Sequence, residues 1–125
     1  GYGDIVVGAT ENPANTGSVF IYQSGGSSGI SSGGTGTAFK TITGDVTVGT
    51  ESFNFGDSIA LGDINGDGCT DFFAGGHTTG ASAQGALYYF QSTGTGFGSI
   101  SSASQANAII TGINPNDKLG QALAK

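Results

Sequence analysis

The chain is poor in basic residues, in cysteine and in long apolar runs. Its only basic residues are Lys40, Lys118 and Lys125, and the formal net charge is −6. Nucleic-acid binding and docking on anionic lipid both require a basic surface, so the sequence argues against both kinds of partner. No run approaches the roughly 20 apolar residues of a membrane span, so we expect no membrane insertion. Cys69 is the single cysteine, so no disulfide can form within the chain.

The residue combinations that catalysis needs are also missing. We find no Ser-His-Asp order, no paired-carboxylate pocket and no phosphate-binding loop. His77 is the only histidine, and we expect it to be a solvated loop residue after Gly75-Gly76. Asp57 and Asp117 are expected in turns rather than as an acid/base pair. We therefore predict that the chain is not an enzyme.

The residues that are abundant predict short β-strands. Glycine accounts for 25 of the 125 residues, and the hydrophobic 36% is gathered in short β-branched and aromatic runs. Short apolar runs between glycine-rich turns are typical of strands, and no long stretch has a 3.6-residue period. The Gly/Ser/Thr-rich tract at 24–37 is expected to be a flexible connection. The fold class is therefore predicted to be all-β.

An internal repeat organises the chain. Residues 4–9 match 71–76 at an offset of 67, and both 17–24 with 85–92 and 42–44 with 110–112 match at an offset of 68. Residues 55–61 match 119–125 at an offset of 64. The unit is predicted to contain four strands: Ser58–Leu61, Phe72–Gly75, Ala86–Gln91 and a fourth near Ala108–Thr111. A repeated four-stranded unit of this size is a β-propeller blade.

The repeat also predicts how the chain is divided into blades. Residues 1–57 would carry strands two to four of a first blade and a connection, and residues 58–112 a complete second blade. Residues 113–125 would be a connection and the first strand of a third blade. Propellers close with at least about four blades, so we expect a segment of a longer chain or an assembly of copies. In an assembly, the first strand of one copy would complete a blade of the next, giving a ring or a filament.

The loop at 63–71 between the first two strands of the second blade is a candidate metal site. Oxygen-bearing side chains stand at its positions 1, 3, 5 and 9, Gly68 permits the turn at position 6, and the Cys69 carbonyl falls at position 7. The predicted ligands are Asp63, Asn65, Asp67, Cys69 through its carbonyl, and Asp71. An all-oxygen set of this kind favours Ca²⁺ over Mg²⁺ or Zn²⁺. A plain hairpin turn would need only one Asn-Gly or Asp-Gly pair, whereas an EF-hand would need a Glu at position 12, where Ala74 stands.

The stretch from Phe55 to Gly76, FGDSIALGDINGDGCTDFFAGG, resembles the FG-GAP repeat of integrin α-subunit propellers. Phe55-Gly56 stands at the Phe-Gly position and Gly75-Gly76 at the Gly-Ala position, while Leu119 replaces Phe in the second copy. The resemblance implies a β-propeller with Ca²⁺ in the loop that joins the first two strands of a blade. Asp4 aligns with Asp71, as the last ligand of a preceding loop. Both ends of the chain thus fall beside a calcium loop, which favours a fragment over a subunit junction.

These observations predict a calcium-stabilised extracellular or cell-surface module for adhesion, binding or structural assembly. The expected partners are other copies of the chain or the rest of a longer chain, and a protein or glycan ligand. One alternative is a carbohydrate-binding, lectin-like propeller, in which an exposed subset of the strand aromatics would stack on sugars. These aromatics, of which about half should be core, are Tyr22, Tyr88, Tyr89 and Phe90. The other alternative is an accessory domain of a larger secreted enzyme.

Overall fold

The computed structural model describes residues 3–11, 16–45 and 54–124. These residues form seven strands: β1 (Ile5–Ala9), β2 (Ser18–Tyr22), β3 (Lys40–Thr43), β4 (Ile59–Gly62), β5 (Asp71–Gly76), β6 (Ala86–Phe90) and β7 (Ala108–Thr111). They build two antiparallel sheets, β1-β2-β3 and β4-β5-β6-β7. The described ranges contain no α-helix, and none of their short helical turns is long and apolar enough to cross a membrane. The all-β class is confirmed.

The four strands predicted for the second blade are observed within one residue of their predicted bounds. Short helical turns occupy the connections, at Gly26–Ser28, Thr35–Thr37, Thr79–Ala83 and Ala103–Gln105. The first two lie in the tract predicted to be a flexible connection. The predicted first strand of a third blade is not observed, and residues 113–124 contain no strand. A strand needs a neighbour to complete its hydrogen-bond ladder, and no described strand is paired with this segment.

The two sheets repeat one pairing register. Val19 lies opposite Ile42 in the first sheet, and Leu87 lies opposite Ile110 in the second, 68 residues further along the chain. Likewise Gly8 pairs with Val19, and Gly75 pairs with Leu87. The second sheet has β4 beside β5, whereas β1 has no strand on the corresponding side among the described residues. The three-stranded sheet is thus the same unit as the four-stranded one without its first strand.

The core lies between the two sheets. It combines Val19, Ile21 and Ile42 of the first sheet with Phe72, Ala74, Ala86, Tyr88 and Phe90 of the second, all at most 4% exposed. Phe55 lies in the same cluster and is fully buried. Its ring meets those of Tyr88 and Phe90 edge-on, at centroid distances of 5.4 and 6.0 Å. Because strand side chains alternate between faces, each sheet contributes alternate residues to this core.

The segment Phe55–Gly56 ties the sheets together through its backbone. The Phe55 N–H donates to the Thr16 carbonyl (3.1 Å) and the Gly56 N–H to the Gly75 carbonyl (2.8 Å). The backbone segments at Gly8 and Gly56 approach so closely that a Cβ at Gly8 would overlap the carbonyl oxygen of Gly56. Only glycine fits there, which explains in physical terms why the repeat needs glycine at this position.

Candidate metal centre

The predicted metal loop connects the end of β4 to the start of β5, and most of it faces solvent. Asp63, Asn65 and Asp67 are exposed, Cys69 is half-buried, and Asp71 is fully buried as the first residue of β5. The loop therefore has one buried carboxylate, that of Asp71, and three solvent-exposed oxygen-bearing side chains.

The exposed side chains hold the loop in its curled shape. Asp63 Oδ1 accepts the N–H groups of Gly66 (2.8 Å) and Asp67 (3.0 Å), and its Oδ2 accepts the N–H of Gly68 (2.9 Å). Asp67 in turn accepts the Cys69 N–H at 2.8 Å. Such local side chain-to-backbone bonds are what Asp and Asn form in tight turns. The oxygens at positions 1, 3 and 5 consequently lie on one short, folded stretch of chain.

Asp71 has a different environment, because its bonds reach across the sheet. Its Oδ1 accepts the Ser92 N–H at 2.8 Å, and its Oδ2 accepts the Tyr89 hydroxyl at 2.7 Å and the Ile64 N–H at 3.2 Å. The bond to Asp71, followed by burial and the other loop carboxylates, raises the pKa of Tyr89 to about 12. Asp71 thus fixes the start of β5 to both the end of β6 and the loop.

Asp4 repeats part of this arrangement in the first sheet. Its Oδ1 accepts the Ser24 N–H at 2.8 Å, the counterpart of the bond between Asp71 and Ser92. The repeat offset shows that Ser24 is the equivalent of Ser92, as Asp4 is of Asp71. Tyr89 has no such equivalent, because Ile21 stands at the corresponding position of the first unit. Asp4 lines the cleft between the sheets together with Cys69 and Thr70, in a volume of about 350 Å³.

The charge of the loop is not balanced by a neighbouring base. Within residues 3–11, 16–45 and 54–124, no basic side chain lies within 4 Å of a loop carboxylate, and the contact between His77 and Asp57 is outside the loop. The pKa of Asp67 is lowered, first by its hydrogen bond from the Asn65 amide and then by the Cys69 N–H. The pKa of the Cys69 thiol is raised by desolvation and by Asp67, Asp63 and Asp71. The thiol is therefore held neutral, which leaves the Cys69 carbonyl as its candidate ligand group.

The chemistry of the donor set fits a hard cation, although its side chains are not gathered around one point. No three acidic, histidine or cysteine side chains of the described ranges are grouped so as to hold a metal ion. Each carboxylate oxygen can accept about two hydrogen bonds. Asp63 Oδ2, Asp71 Oδ1 and both Asp67 oxygens each accept one and so retain capacity. Calcium binding would require the exposed side chains to turn toward Asp71, and the five ligands stay a prediction.

His77 is not the solvated residue that the sequence suggested. Its side chain is 19% exposed, and Nδ1 lies 2.9 Å from an oxygen of Asp57. Among the described residues, Nδ1 has no hydrogen-bond partner. The expectation failed because the turn after β5 folds back on the segment before β4. His77 contributes nothing to the loop at 63–71.

The strand aromatics divide between the faces, as their alternation predicts. Tyr88 and Phe90 are core residues and are unavailable for stacking on sugars. Tyr89 is half-buried and bonded to Asp71, and Tyr22 donates to the Gly34 carbonyl at 3.4 Å. Phe39, which the sequence did not single out, is 56% exposed. Tyr22 and Phe39 therefore have accessible ring surface, and both line one groove.

A family model for the FG-GAP repeat matches residues 55–90. No curated protein matches the chain significantly. The matched residues include the Phe55–Gly56 tie, β4, the candidate metal loop, β5 and β6, and the sheet that they belong to has the four antiparallel strands of a propeller blade. Residues 55–90 therefore match an FG-GAP repeat, a unit that forms the blades of β-propellers.

Proposed function

We propose that the chain is a calcium-stabilised propeller module that acts by binding and assembly rather than by catalysis. The observation that supports this most is the loop at 63–71, in which three carboxylates lie on one connection with no basic partner in the described ranges. FG-GAP repeats occur in extracellular and cell-surface proteins, so we assign the module to that location.

The role of calcium in this proposal is structural. Asp63, Asn65 and Asp67 would bind the ion from the exposed side, with Asp71 and the Cys69 carbonyl from the strand side. The ion would supply positive charge that relieves repulsion among the three carboxylates. Because Asp71 is already tied to β6, the ion would join the end of β4 to the rest of the sheet. Ligand that binds only the folded state adds about 2.7 kcal/mol of stability at one hundred times its dissociation constant.

Calcium titration of the purified chain tests this proposal. We expect millimolar Ca²⁺ to raise the melting temperature relative to EGTA, and millimolar Mg²⁺ to raise it less. Asp67→Asn should weaken calcium binding at least about tenfold, since it removes one anionic ligand from an exposed position. Asp117→Asn is the matched control, because Asp117 accepts the N–H groups of Ile113 and Asn114 in a turn outside the loop. A melting temperature indifferent to calcium, or equal calcium binding by the two variants, would contradict the proposal.

The proposed partners are other copies of the chain or the rest of a longer chain. The sheet faces turned away from the core support this, because they carry exposed apolar side chains such as Ile5, Val7 and Ile110, at 45%, 42% and 54% exposure. Contiguous exposed apolar surface marks protein contact sites, and Ile5 and Val7 lie two residues apart on one face of β1. A protein ligand or a role as an accessory domain of a secreted enzyme stays open.

Carbohydrate binding is a second candidate function. A groove of about 470 Å³ is lined by Tyr22 and Phe39 together with polar residues that include Gln23, Ser31 and Thr37. Aromatic faces beside hydroxyl and amide groups suit a sugar ring, which has apolar C–H faces and a polar rim. A glycan array on which the chain binds and the Phe39→Ala variant does not would support this candidate, whereas an array without binding would remove it.

A further inference from the structure

The face of the second sheet that points away from the first is only partly covered by the residues that the structure describes. In the first sheet, Val19, Ile21 and Ile42 face the core and are at most 4% exposed. Their equivalents at an offset of 68 are Leu87, Tyr89 and Ile110. Leu87 and Tyr89 are half-buried and Ile110 is 54% exposed. We call this outward surface, defined by Phe73, Leu87, Tyr89 and Ile110, the trailing face.

The opposite surface of the first sheet is exposed at β1, although Phe20, which lies opposite Val7 on the same face, is only 5% exposed. Phe72 and Ala74 of β5 are fully buried against the first sheet. Their equivalents at an offset of 67 are Ile5 and Val7 of β1, which are 45% and 42% exposed. We call the surface of Ile5 and Val7, with the unpaired edge of β1, the leading face. Both halves of the contact between the two sheets thus recur on the outer faces of the described sheets, where their apolar side chains are more exposed.

The backbone beside the trailing face repeats the contacts that Phe55–Gly56 makes between the two sheets. The Leu119 N–H donates to the Gln84 carbonyl at 3.0 Å, as the Phe55 N–H does to Thr16. A Cβ at Gly75 would overlap the carbonyl oxygen of Gly120, as one at Gly8 would overlap that of Gly56. The Ser58 hydroxyl further donates to the Gly120 carbonyl at 2.6 Å. The segment that links one blade to the next is therefore already in position.

We propose that the trailing face of one copy of this chain binds the leading face of a second copy, head to tail. Both faces are apolar, and the contact between the two sheets within one chain provides the pattern for their packing. The strands that define them, β1 and β5 to β7, carry one charged side chain, that of the buried Asp71. This inference deepens the assembly part of the proposed function and rests on it, but it does not depend on calcium.

The internal contact fixes the register that the second copy would adopt. Within the chain, the Gly56 and Asp57 N–H groups donate to the Gly75 carbonyl, and the Gly75 N–H donates to the Ser58 carbonyl. By the repeat offsets, Gly120 and Gln121 of one copy would donate to the Gly8 carbonyl of the other. The Gly8 N–H would donate to the Ala122 carbonyl. Residues 121–124, which form no strand alone, would then become the missing first strand beside β1.

A head-to-tail contact uses two different surfaces, and this gives it a specific test by sedimentation velocity. Ile5→Glu blocks the leading face and Ile110→Glu blocks the trailing face, each by placing a charge in an apolar contact. Ile113→Glu is the matched control, because Ile113 is 87% exposed and lies on neither face. We expect wild type and Ile113→Glu to form the same concentration-dependent series of oligomers. Each face variant alone should remain monomeric at concentrations at which the wild type is more than half assembled.

The decisive sample is an equimolar mixture of Ile5→Glu and Ile110→Glu. Each variant keeps one intact face, so the mixture should form dimers and nothing larger. A mixture that stays monomeric, face variants that assemble like the wild type, or a wild type that is monomeric at all concentrations would overturn the proposal. Circular dichroism of each variant establishes that its sheets are folded before sedimentation is interpreted.

The same samples separate this proposal from the calcium proposal. Each is run in Ca²⁺ and in EGTA, with a thermal melt in both conditions. A calcium-dependent melt of a monomeric wild type supports the metal site and overturns the head-to-tail contact. Assembly that follows the pattern above with a melt indifferent to calcium supports the contact and contradicts the metal site.

Discussion

At the scale of single residues, Asp71 and Asp4 show how a carboxylate predicted as a metal ligand can first serve the fold. Asp71 is fully buried and accepts hydrogen bonds from Ser92, Tyr89 and Ile64, whereas Asp4 is exposed and accepts one from Ser24. A buried acceptor matters most through the donors that it satisfies, because each donor left unpaired costs about 1–3 kcal/mol. The two aspartates are therefore equivalent in the repeat but unequal in their effect on stability.

We predict that Asp71→Ala lowers the free energy of unfolding by about 3 kcal/mol in EGTA. The substitution leaves the buried Ser92 N–H and the Tyr89 hydroxyl without their hydrogen-bond acceptor. Asp4→Ala should cost less than about 1 kcal/mol, since water can satisfy the exposed Ser24 N–H. Urea unfolding of both variants without calcium measures the difference. A loss for Asp71→Ala as small as that predicted for Asp4→Ala would mean that Asp71 has no structural role apart from any metal.

The sequence predicted Asp71 as a candidate ligand but did not predict its hydrogen-bond partners. The alternating spacing of oxygen side chains from Asp63 onward marks Asp71 as a candidate ligand without any knowledge of the fold. Its bonds to Tyr89 and Ser92 span 18 and 21 residues and exist only once the register of β5 and β6 is set. For the same reason the contact between His77 and Asp57 was missed, since it depends on how one turn folds onto another segment.

At the scale of elements, the strands were predictable and the turns were not. Glycine-rich boundaries placed the strands of the second sheet within one residue, because each apolar run is short and sharply bounded. The helical turn Ala103–Gln105 was not predicted, although Ser102 and Gln105 form a capping box that could have been recognised. Its residue Ala103 is buried in the core between the sheets, so this turn depends on tertiary packing.

Phe55 is the residue that makes the connection between the sheets part of the core, and its replacement tests this element. Phe55→Ala should destabilise the chain by about 4 kcal/mol, because it leaves a cavity against Tyr88 and Phe90. Phe55→Leu should cost about 1–2 kcal/mol, since the repeat itself accepts leucine at position 119. Chemical denaturation gives both values.

The control for this prediction is Phe39→Ala. Phe39 is 56% exposed, so removing its ring should change stability by no more than about 0.5 kcal/mol. A Phe55→Ala variant that is as stable as Phe39→Ala would show that the contact between the sheets contributes little to the fold.

At the scale of the whole molecule, the two sheets share one core rather than having one each. Three of the buried core residues come from strands of the first sheet and five from strands of the second, with Phe55 and Ala103 from the connections. A sheet that buries its apolar face only against the other sheet has no core of its own to retain after separation. The sequence suggested this dependence through the repeat, but it could not tell which face of each sheet is covered, since that follows from the packing of one blade on the next.

We therefore predict that the described sheets unfold together in one transition. Scanning calorimetry should give a calorimetric enthalpy equal to the van't Hoff enthalpy, measured below the concentration at which copies assemble. Native-state hydrogen exchange should give the amides of β2 and β6 similar free energies of opening, because each strand is central in its sheet and both lose their packing in the same event. Phe55→Ala should lower the opening free energies of both strands by the same amount, as expected for a residue that contacts both sheets. Two separate calorimetric transitions, or a loss confined to β6, would mean that the four-stranded blade is stable without its neighbour.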